Sequence, residues 1–204
     1  MKYHKIPDET VRRLPIYLRG LQYLLNQDQK SISSIELAEF LHVSATQIRK
    51  DFSYFGDFGI RGVGYNVEIL IKHIRAILKL GGTRGAALVG VGNIGTALLA
   101  YPGFGTYGLE IVVVFDNNPT KIGKQIDGAK IEDIGKISEL KKRGIKLAII
   151  AVPAEAAQDV ADKLVAAGVK GILNFAPQVL SVPKKVKVIT IDIAMELGRL
   201  PYYM

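Results

Sequence analysis

The strongest constraint on the fold is an apolar run that leads into three spaced glycines. Residues 86–89 are Ala-Ala-Leu-Val, and Gly90-Val91-Gly92-Asn93-Ile94-Gly95 and an apolar stretch to residue 99 follow them. A strand that runs through G-x-G-x-x-G into a helix is typical of the phosphate-binding turn of a Rossmann βαβ unit. There the glycines permit a tight turn, close approach of a pyrophosphate and close helix packing. We therefore expect a dinucleotide-binding domain, with the helix N-terminus directed at the phosphates.

An acidic residue follows at the spacing that such a unit needs. A second apolar strand over residues 109–115 ends in Asp116, 21 residues beyond Gly95. A Rossmann fold places a carboxylate there to bind the ribose hydroxyls of the adenosine. A carboxylate disfavours a 2′-phosphate, so the pattern favours NAD(H) over NADP(H), although Lys121 nearby leaves that choice open.

Beyond Asp116 the pattern continues as alternating strands and helices. Residues 146–152 and 170–175 are predicted strands, and residues 154–167 a predicted helix. Such alternation gives a mostly parallel, doubly wound sheet, which binds ligands where its strands end. Val152, Pro153 and Asn174 are therefore candidates, the alternative being ordinary turns. The candidate dinucleotide-binding residues from the pattern alone are Gly90, Val91, Gly92, Asn93, Ile94, Gly95, Asp116, Val152, Pro153 and Asn174.

Before Gly81-Gly82-Thr83 the pattern is mostly helical, so we place a domain boundary there. Ser33 and Glu36 form a capping-box pattern that opens a helix through residue 41. Ile35 and Ala38 are expected to face inward, and Leu37 and Leu41 are further candidates for that face.

A second helix start follows after a turn of a few residues. Ser44 and Gln47 repeat the start signal and open a helix over residues 45–52, on which Ile48 and Phe52 can share the buried face. Residues 54–65 then hold four glycines and four aromatic residues around Arg61, which predicts a hairpin. Helix, turn, helix and hairpin together predict a winged helix-turn-helix domain that binds double-stranded DNA.

The candidate DNA contacts lie on the second helix and at the hairpin tip. Polar and basic side chains there suit groove edges and phosphates, and an arginine between glycines suits a minor groove. The alternative for each of them is solvated surface charge. The candidates are Ser44, Thr46, Gln47, Arg49, Lys50, Ser53, Tyr54 and Arg61.

The composition narrows the classes of function. The chain has no cysteine, which excludes a thiolate zinc site and a thiol nucleophile, and its three scattered histidines predict no metal site. The net charge of +8 favours a polyanionic partner, though only weakly. No apolar run approaches the ~20 residues that span a bilayer, and no signal-peptide pattern is present, so we expect no membrane partner and a cytoplasmic location.

A Rossmann domain most often belongs to a dehydrogenase, so the catalytic inventory matters. All three histidines precede Gly81, and no tyrosine is followed four residues later by a lysine. The usual acid–base partners for carbonyl reduction are thus absent, and we expect an effector site with no catalytic residues. An NAD-dependent oxidoreductase and a nucleotide-binding scaffold protein remain the alternatives.

These motifs together resemble the Rex family of bacterial redox-sensing repressors over essentially the whole chain. The resemblance rests on Arg-Lys-Asp-Phe-Ser-Tyr-Phe-Gly at residues 49–56 with Arg-Gly-Val-Gly-Tyr at 61–65, on the glycine-rich loop, on Tyr-Pro-Gly-Phe at 101–104, and on Gly-Ile-Leu-Asn-Phe-Ala-Pro at 171–177. It implies a homodimer in which the C-terminal helix of each subunit, residues 192–200 here, inserts between the partner's two domains.

The resemblance also implies a mechanism. NADH would disfavour the DNA-binding arrangement and NAD+ would permit it, so that genes for NADH reoxidation and fermentation are repressed until NADH accumulates. Tyr101 would lie near the nicotinamide, the alternative being core packing. Arg19 would pair with Asp192 in one state of the switch, although Pro15 in the first helix leaves the register of Arg19 open.

The sequence thus predicts an α/β protein in three parts. Residues 1–82 form a winged helix-turn-helix domain, residues 83–191 a Rossmann domain with a parallel doubly wound sheet, and residues 192–204 a helix exchanged between subunits. The expected partners are operator DNA, a second copy of the chain and NAD(H) as effector.

Overall fold

Two units of different architecture make up the chain. The computed structural model describes residues 6–56, 58–60 and 63–204 of the 204, and it divides between Met1–Gly82 and Thr83–Met204. Arg61, the predicted hairpin-tip residue, lies outside the described residues.

The first unit combines helices with a small antiparallel sheet. The helices are α1 (Asp8–Asn26), α2 (Ser34–Leu41), α3 (Ala45–Ser53) and α4 (Val67–Ile77), and the strands are β1 (Ser31–Ile32), β2 (Gly59–Ile60) and β3 (Gly64–Asn66). Strand β3 lies between β1 and β2 and pairs antiparallel with both. The hairpin β2–β3 follows α2 and α3 directly, which confirms the predicted winged helix-turn-helix fold.

Local side-chain caps start the helices where the sequence predicts them. The Ser33 hydroxyl accepts a hydrogen bond from the Glu36 amide, and the Glu36 carboxylate accepts one from the Ser33 amide. The Ser44 hydroxyl caps α3 by accepting from the Gln47 amide at 3.1 Å. The capping box and the repeated start signal are therefore confirmed.

The inward face of α2 differs from the expected one at one position. Leu37 and Ala38 are buried, but Ile35 is 59% exposed. At about 100° per residue Ile35 lies roughly 200° around the helix from Leu37, so both cannot face the core. The prediction for Ile35 is wrong because the side of α2 that packs on the core is the one that carries Leu37 and Ala38.

The second unit is built on a seven-stranded sheet. Its strands are β4 (Arg84–Val89), β5 (Leu109–Asp116), β6 (Gln125–Ile126), β7 (Ala129–Asp133), β8 (Leu147–Ile150), β9 (Gly171–Asn174) and β10 (Lys187–Thr190). Its helices are α5 (Asn93–Leu99), α6 (Gly103–Thr106), α7 (Ala154–Ala166) and α8 (Ile193–Gly198), with 3-10 helices at Ile134–Lys141 and Leu200–Tyr203. The strand order is β10-β9-β8-β4-β5-β7-β6, and every pairing is parallel except β6 with β7.

The two faces of this sheet are covered differently. Val89, Phe115 and Ile150 are buried on a face that packs against Leu164 of α7 and Leu140 of the first 3-10 helix. On the other face an apolar depression of about 270 Å³ remains beside β8, β9 and β10, lined by side chains that include Ile149, Leu173 and Ile189.

The C-terminal segment exposes apolar side chains as well. Ile193, Met195 and Leu197 of α8 are 62%, 65% and 66% exposed. Across the described residues, the helices are too short or too polar to traverse a lipid bilayer.

Candidate functional sites

The glycine-rich turn has the geometry that close approach of a ligand needs. Gly90 follows β4 with a φ of 97°, and a Cβ built on it would lie 2.5 Å from the Ala151 carbonyl oxygen. A Cβ on Gly95 would collide with the Gly90 carbonyl oxygen, so Gly95 lets α5 start directly against the strand. A Cβ on Gly92 would meet no atom within 4 Å. Gly92 therefore faces open space, as the residue nearest a pyrophosphate must.

Asp116 ties this turn to the end of β5. Its carboxylate is buried and accepts hydrogen bonds from the amides of Val91 and Asn118, each at 2.8 Å. The Lys121 ammonium donates to the Val91 carbonyl at 2.8 Å and lies 3.3 Å from the same carboxylate. Burial by itself raises the pKa of Asp116, but the bonds from Asn118, Val91 and Lys121 lower it below its ordinary value. The site therefore holds an ionised carboxylate and a half-buried cation side by side.

A cavity of about 440 Å³ opens above these groups. Val152 and Pro153 contribute to its wall because β8 ends beside β4 in the parallel sheet. Lys163 lines this cavity too, and the sequence analysis did not select it. It considered Lys121 only in the choice between NAD(H) and NADP(H), because a lysine could bind a 2′-phosphate. Asp159 lines the cavity as well, and its carboxylate pairs with the Lys163 ammonium at 2.6 Å. A concave site with bare backbone at Gly92, two carboxylates and two lysines fits a dinucleotide.

Five of the predicted dinucleotide residues do not line this cavity, and one of them is Gly95, the packing glycine described above. Asn93 and Ile94 are exposed in the first turn of α5. Tyr101 is 54% exposed, lies outside the lining of this cavity and contacts Phe104 edge-on at 5.4 Å between ring centroids.

Asn174 is fully buried and its side chain holds the turn that follows β9. Its amide nitrogen donates to the carbonyls of Ala176 and Gln178 at 3.0 and 2.9 Å, and its side-chain oxygen accepts from the Ala176 amide. These contacts give Asn174 a structural role, and its place in a ligand site, like that of Tyr101, stays a prediction.

The second helix of the helix-turn-helix presents one polar face. Thr46, Arg49, Lys50 and Ser53 are exposed and follow the i, i+3, i+4, i+7 spacing of a single helix face. The Arg49 guanidinium donates to the Ser34 hydroxyl at 2.8 Å and to the Thr46 hydroxyl at 3.3 Å, which holds it beside the start of α2. A surface groove of about 520 Å³ runs between Arg49, Ser53 and the hairpin strands.

The other described candidates have side-chain partners inside the unit or are half-buried. Ser44 caps α3, and Tyr54 ends the helix and is half-buried. On the exposed face, the Ser53 hydroxyl donates to the Lys50 carbonyl. The side-chain amide of Gln47 donates to the carboxylate of Asp51. Asp51 is buried, and the sequence analysis did not select it. The burial of Asp51 could not be predicted from sequence, because its other hydrogen-bond partners lie 34 to 41 residues away along the chain.

The two predicted switch residues lie in different units. Arg19 is on the exposed side of α1. Asp192 caps α8, where its carboxylate accepts from the Met195 amide at 3.0 Å. Their pairing stays a prediction. Within the described ranges no group of three or more histidine, aspartate or glutamate side chains is arranged to hold a metal ion.

Two family models match the chain, one on each unit. A model described as "CoA binding domain" matches residues 83–178, and one described as "Putative DNA-binding protein N-terminus" matches residues 5–53.

Curated relatives match almost the full length of the chain. The redox-sensing transcriptional repressor Rex of Chloroflexus aurantiacus is 49% identical over 97% of this chain and 94% of its own. The Rex of Carboxydothermus hydrogenoformans is 49% identical over 99% of this chain and 98% of its own.

Solved structures agree with the relatives. RSP, a Rex-family repressor, in complex with β-NAD+ and operator DNA has a TM-score of 0.92 at 37% identity, and covers 98% of this chain and 93% of its own. RSP in complex with β-NADH has a TM-score of 0.89 at 36% identity, covering 98% and 94%. The chain accordingly belongs to the Rex family of redox-sensing transcriptional repressors.

Proposed function

We propose that this protein is a redox-sensing transcriptional repressor, which binds operator DNA with NAD+ or without NADH and releases it when NADH binds. The observation that carries the proposal is the presence, in one chain, of a dinucleotide cavity around Gly92 and Asp116 and of a basic recognition helix, α3. RSP, of the same family, has been solved with NAD+ and operator DNA and also with NADH, which supports the same pair of ligands here. Regulated genes would be those of NADH reoxidation and fermentation.

The second unit supplies the effector site. Gly90 to Gly95 would hold the pyrophosphate, Asp116 the ribose hydroxyls of the adenosine, and Val152 and Pro153 the wall of the crevice. We assign Tyr101 and Asn174 to the nicotinamide end as the family resemblance implies. The bound dinucleotide supplies a nicotinamide ring that is cationic when oxidised and neutral when reduced.

The first unit supplies the DNA contacts. Thr46, Arg49, Lys50 and Ser53 would face a major groove, and Arg61, which the sequence predicts at the hairpin tip, would enter a minor groove. Ser44, Gln47 and Tyr54 would serve chiefly by holding α3, because their side chains have partners within the unit or are half-buried. The absence of the usual acid–base partners supports regulation over turnover.

We propose that the repressor is a homodimer that acts in the cytoplasm. Apolar side chains exposed on α8 and the apolar depression beside β8 to β10 support burial against a second copy. In this proposal residues 192–204 form the exchanged helix, and Arg19 pairs with Asp192 in one of two arrangements. NADH then shifts the population away from the DNA-binding arrangement, and operator DNA must weaken NADH binding by the same factor.

The test is binding of the purified protein to a palindromic promoter fragment at fixed salt, with NADH titrated in the presence and absence of NAD+. Salt is held constant because phosphate contacts make affinity steeply dependent on ionic strength. Release by NADH, opposed by NAD+, is the expected result. Reduction of a small carbonyl substrate by NADH, without specific DNA binding, would instead identify an oxidoreductase.

A further inference from the structure

A carboxylate is buried between the recognition helix and the first helix. Asp51 of α3 has no exposed surface, and it accepts five hydrogen bonds from four side chains. The donors are Thr10 at 2.9 Å, Arg13 at 2.6 and 2.8 Å, Tyr17 at 2.6 Å and Gln47 at 2.8 Å.

Three of the four donors come from one face of α1. Thr10, Arg13 and Tyr17 are spaced by three and four residues, so they line up along the side of α1 that meets α3. The next residue of α3, Phe52, contacts the Tyr17 ring edge-on at 5.4 Å between centroids. The joint between the two helices therefore combines a charge, its donors and an aromatic contact.

Directional bonds of this kind fix orientation more strictly than apolar packing does. Arg13 donates through two nitrogens to the two oxygens of Asp51, which defines both the distance and the angle between the groups. Burial by itself raises the pKa of Asp51, but the bonds from Arg13, Tyr17, Gln47 and Thr10 lower it to about 2, so the group stays ionised at neutral pH. Burial and the bond to Asp51 raise the pKa of Tyr17, which keeps that hydroxyl a donor.

The bonds to Asp51, together with buried Ile48 and Phe52, fix which side chains of α3 face outward. Arg49 and Lys50 precede Asp51 directly, and Ser53 follows it by two residues on the same short helix. If α3 rotates about its axis, every one of these side chains turns with it. Gln47 also takes part in these contacts, because it lies one turn before Asp51 and its side-chain amide donates to the Asp51 carboxylate.

We propose that Asp51 is a positioning residue for operator binding: with Thr10, Arg13 and Tyr17 it locks the recognition helix to α1. Helix α3 then follows any displacement of α1 as one body with it. The proposal rests on the repressor function proposed above, and it adds a residue that acts through Arg49 and Lys50 without itself touching DNA.

The experiment removes single donors without changing the shape of the interior. Tyr17→Phe and Thr10→Val each delete one hydroxyl that bonds to Asp51. The dimer is measured with NAD+ at fixed salt against the palindromic promoter fragment and against a non-specific duplex of the same length. We expect each variant to bind the promoter fragment about tenfold more weakly, because binding must then supply the ~1.4 kcal/mol that orients α3 in the unmodified protein. Non-specific binding should change little, because it depends on phosphate charge and Arg49 and Lys50 remain.

Two matched controls keep the comparison sharp. Thr10→Ser retains a hydroxyl, and Tyr23→Phe makes the same change on α1 at a tyrosine that stacks on Phe40, away from Asp51. Both should bind the promoter fragment as the unmodified protein does. Amide hydrogen exchange supplies a second readout: in Tyr17→Phe the amides of α3 should exchange faster, and those of α4 should not.

The measurements distinguish a positioning role of Asp51 from a purely structural one. If both variants lower only the unfolding midpoint, and the preference for the promoter fragment stays the same, Asp51 is a structural residue and the proposal is overturned. Equal exchange rates in α3 would refute the lock as well. If the unmodified protein itself fails to prefer the promoter fragment, the repressor function fails first and the positioning role falls with it.

Discussion

At the scale of single residues, the glycines of one loop serve two separate purposes. Gly95 is needed by the fold, because any side chain there meets the Gly90 carbonyl oxygen. Gly92 is not, because a Cβ there would meet open space. Both belong to the sequence motif; packing accounts for Gly95, and a bound dinucleotide would account for Gly92.

A pair of substitutions distinguishes these purposes. Gly92→Ala should leave the unfolding midpoint of the ligand-free protein unchanged and should abolish most of its stabilisation by NADH, because the new methyl group occupies the ligand's approach. Gly95→Ala should destabilise the ligand-free protein by about 1–3 kcal/mol, the usual cost of overpacking. Thermal unfolding with and without NADH measures both effects. Gly105→Ala, at another position with open space, is the control.

Lys121 carries a second prediction at this scale. Its ammonium joins the Val91 carbonyl to Asp116, so Lys121→Met should loosen the loop and weaken NADH binding roughly threefold to tenfold, the range for one such hydrogen bond. Calorimetric titration of NADH measures the change. Lys124→Met, at an exposed lysine nearby, should bind as the unmodified protein does. Equal affinities in the two variants would show that the loop does not depend on Lys121.

The roles of some residues could be predicted from the sequence, and those of others could not. The glycine-rich loop and Asp116 could be predicted because the motif carries its own spacing. Asp51 could not, because its partners on α1 become neighbours only after folding and its flanking residues Arg49 and Lys50 suggest an exposed charged stretch. Gln47 is a residue type that suits DNA contacts, but the sequence cannot show that its side-chain amide already donates to Asp51.

At the scale of elements, the joint between α1 and α3 has a distinct dependence on pH. The pKa of Asp51 is about 2 in the folded protein, below the value of about 3.9 expected in an unfolded chain. Because it is lowered by folding, the group contributes stability that is fully present above pH ~4 and is lost as the pH falls through about 2.

Tyr17→Phe tests this directly. Removing a donor brings the pKa of Asp51 closer to its unfolded value, so the variant should be less stable than the unmodified protein near neutral pH. The gap between the two unfolding midpoints should narrow as the pH falls from about 5 to 2, because Asp51 becomes protonated in both. Unfolding midpoints over this range supply the measurement, and a constant gap would mean that the hydroxyl does not bond to the ionised carboxylate.

The elements themselves could be predicted largely from local signals. Ser33 and Ser44 cap helices, and the four strands predicted in the second unit all form. The prediction for Ile35 failed, since an apolar residue in the first turn of a helix does not by itself define the buried side. The sequence analysis also missed β7 and β10, as well as the antiparallel strand β6, whose two residues carry no periodic pattern.

At the scale of the whole molecule, apolar side chains of the C-terminal segment should be buried by a second copy. Leu197→Glu replaces a residue that is 66% exposed in the single chain, so the substitution should cost the isolated chain little. It should nevertheless shift the protein from dimer to monomer in sedimentation equilibrium, because a carboxylate would have to be buried in the interface. Gln125→Glu makes the same charge change on β6, at the opposite edge of the sheet from β10, and should remain dimeric. Two dimeric variants would refute the assigned interface.

The hydrogen bonds that link Lys121, Val91 and Asp116 also affect which property of the cofactor pool the protein responds to. They organise the part of the cavity that we assign to the adenosine and the pyrophosphate, which the oxidised and reduced forms of the cofactor share. Affinity gained there favours neither form and raises occupancy by both. Once the site is filled by one form or the other, the two compete for it, and the fraction of sites holding each depends on their relative abundance. Such a repressor would respond to the proportion of reduced cofactor in the pool and would be largely indifferent to the size of that pool.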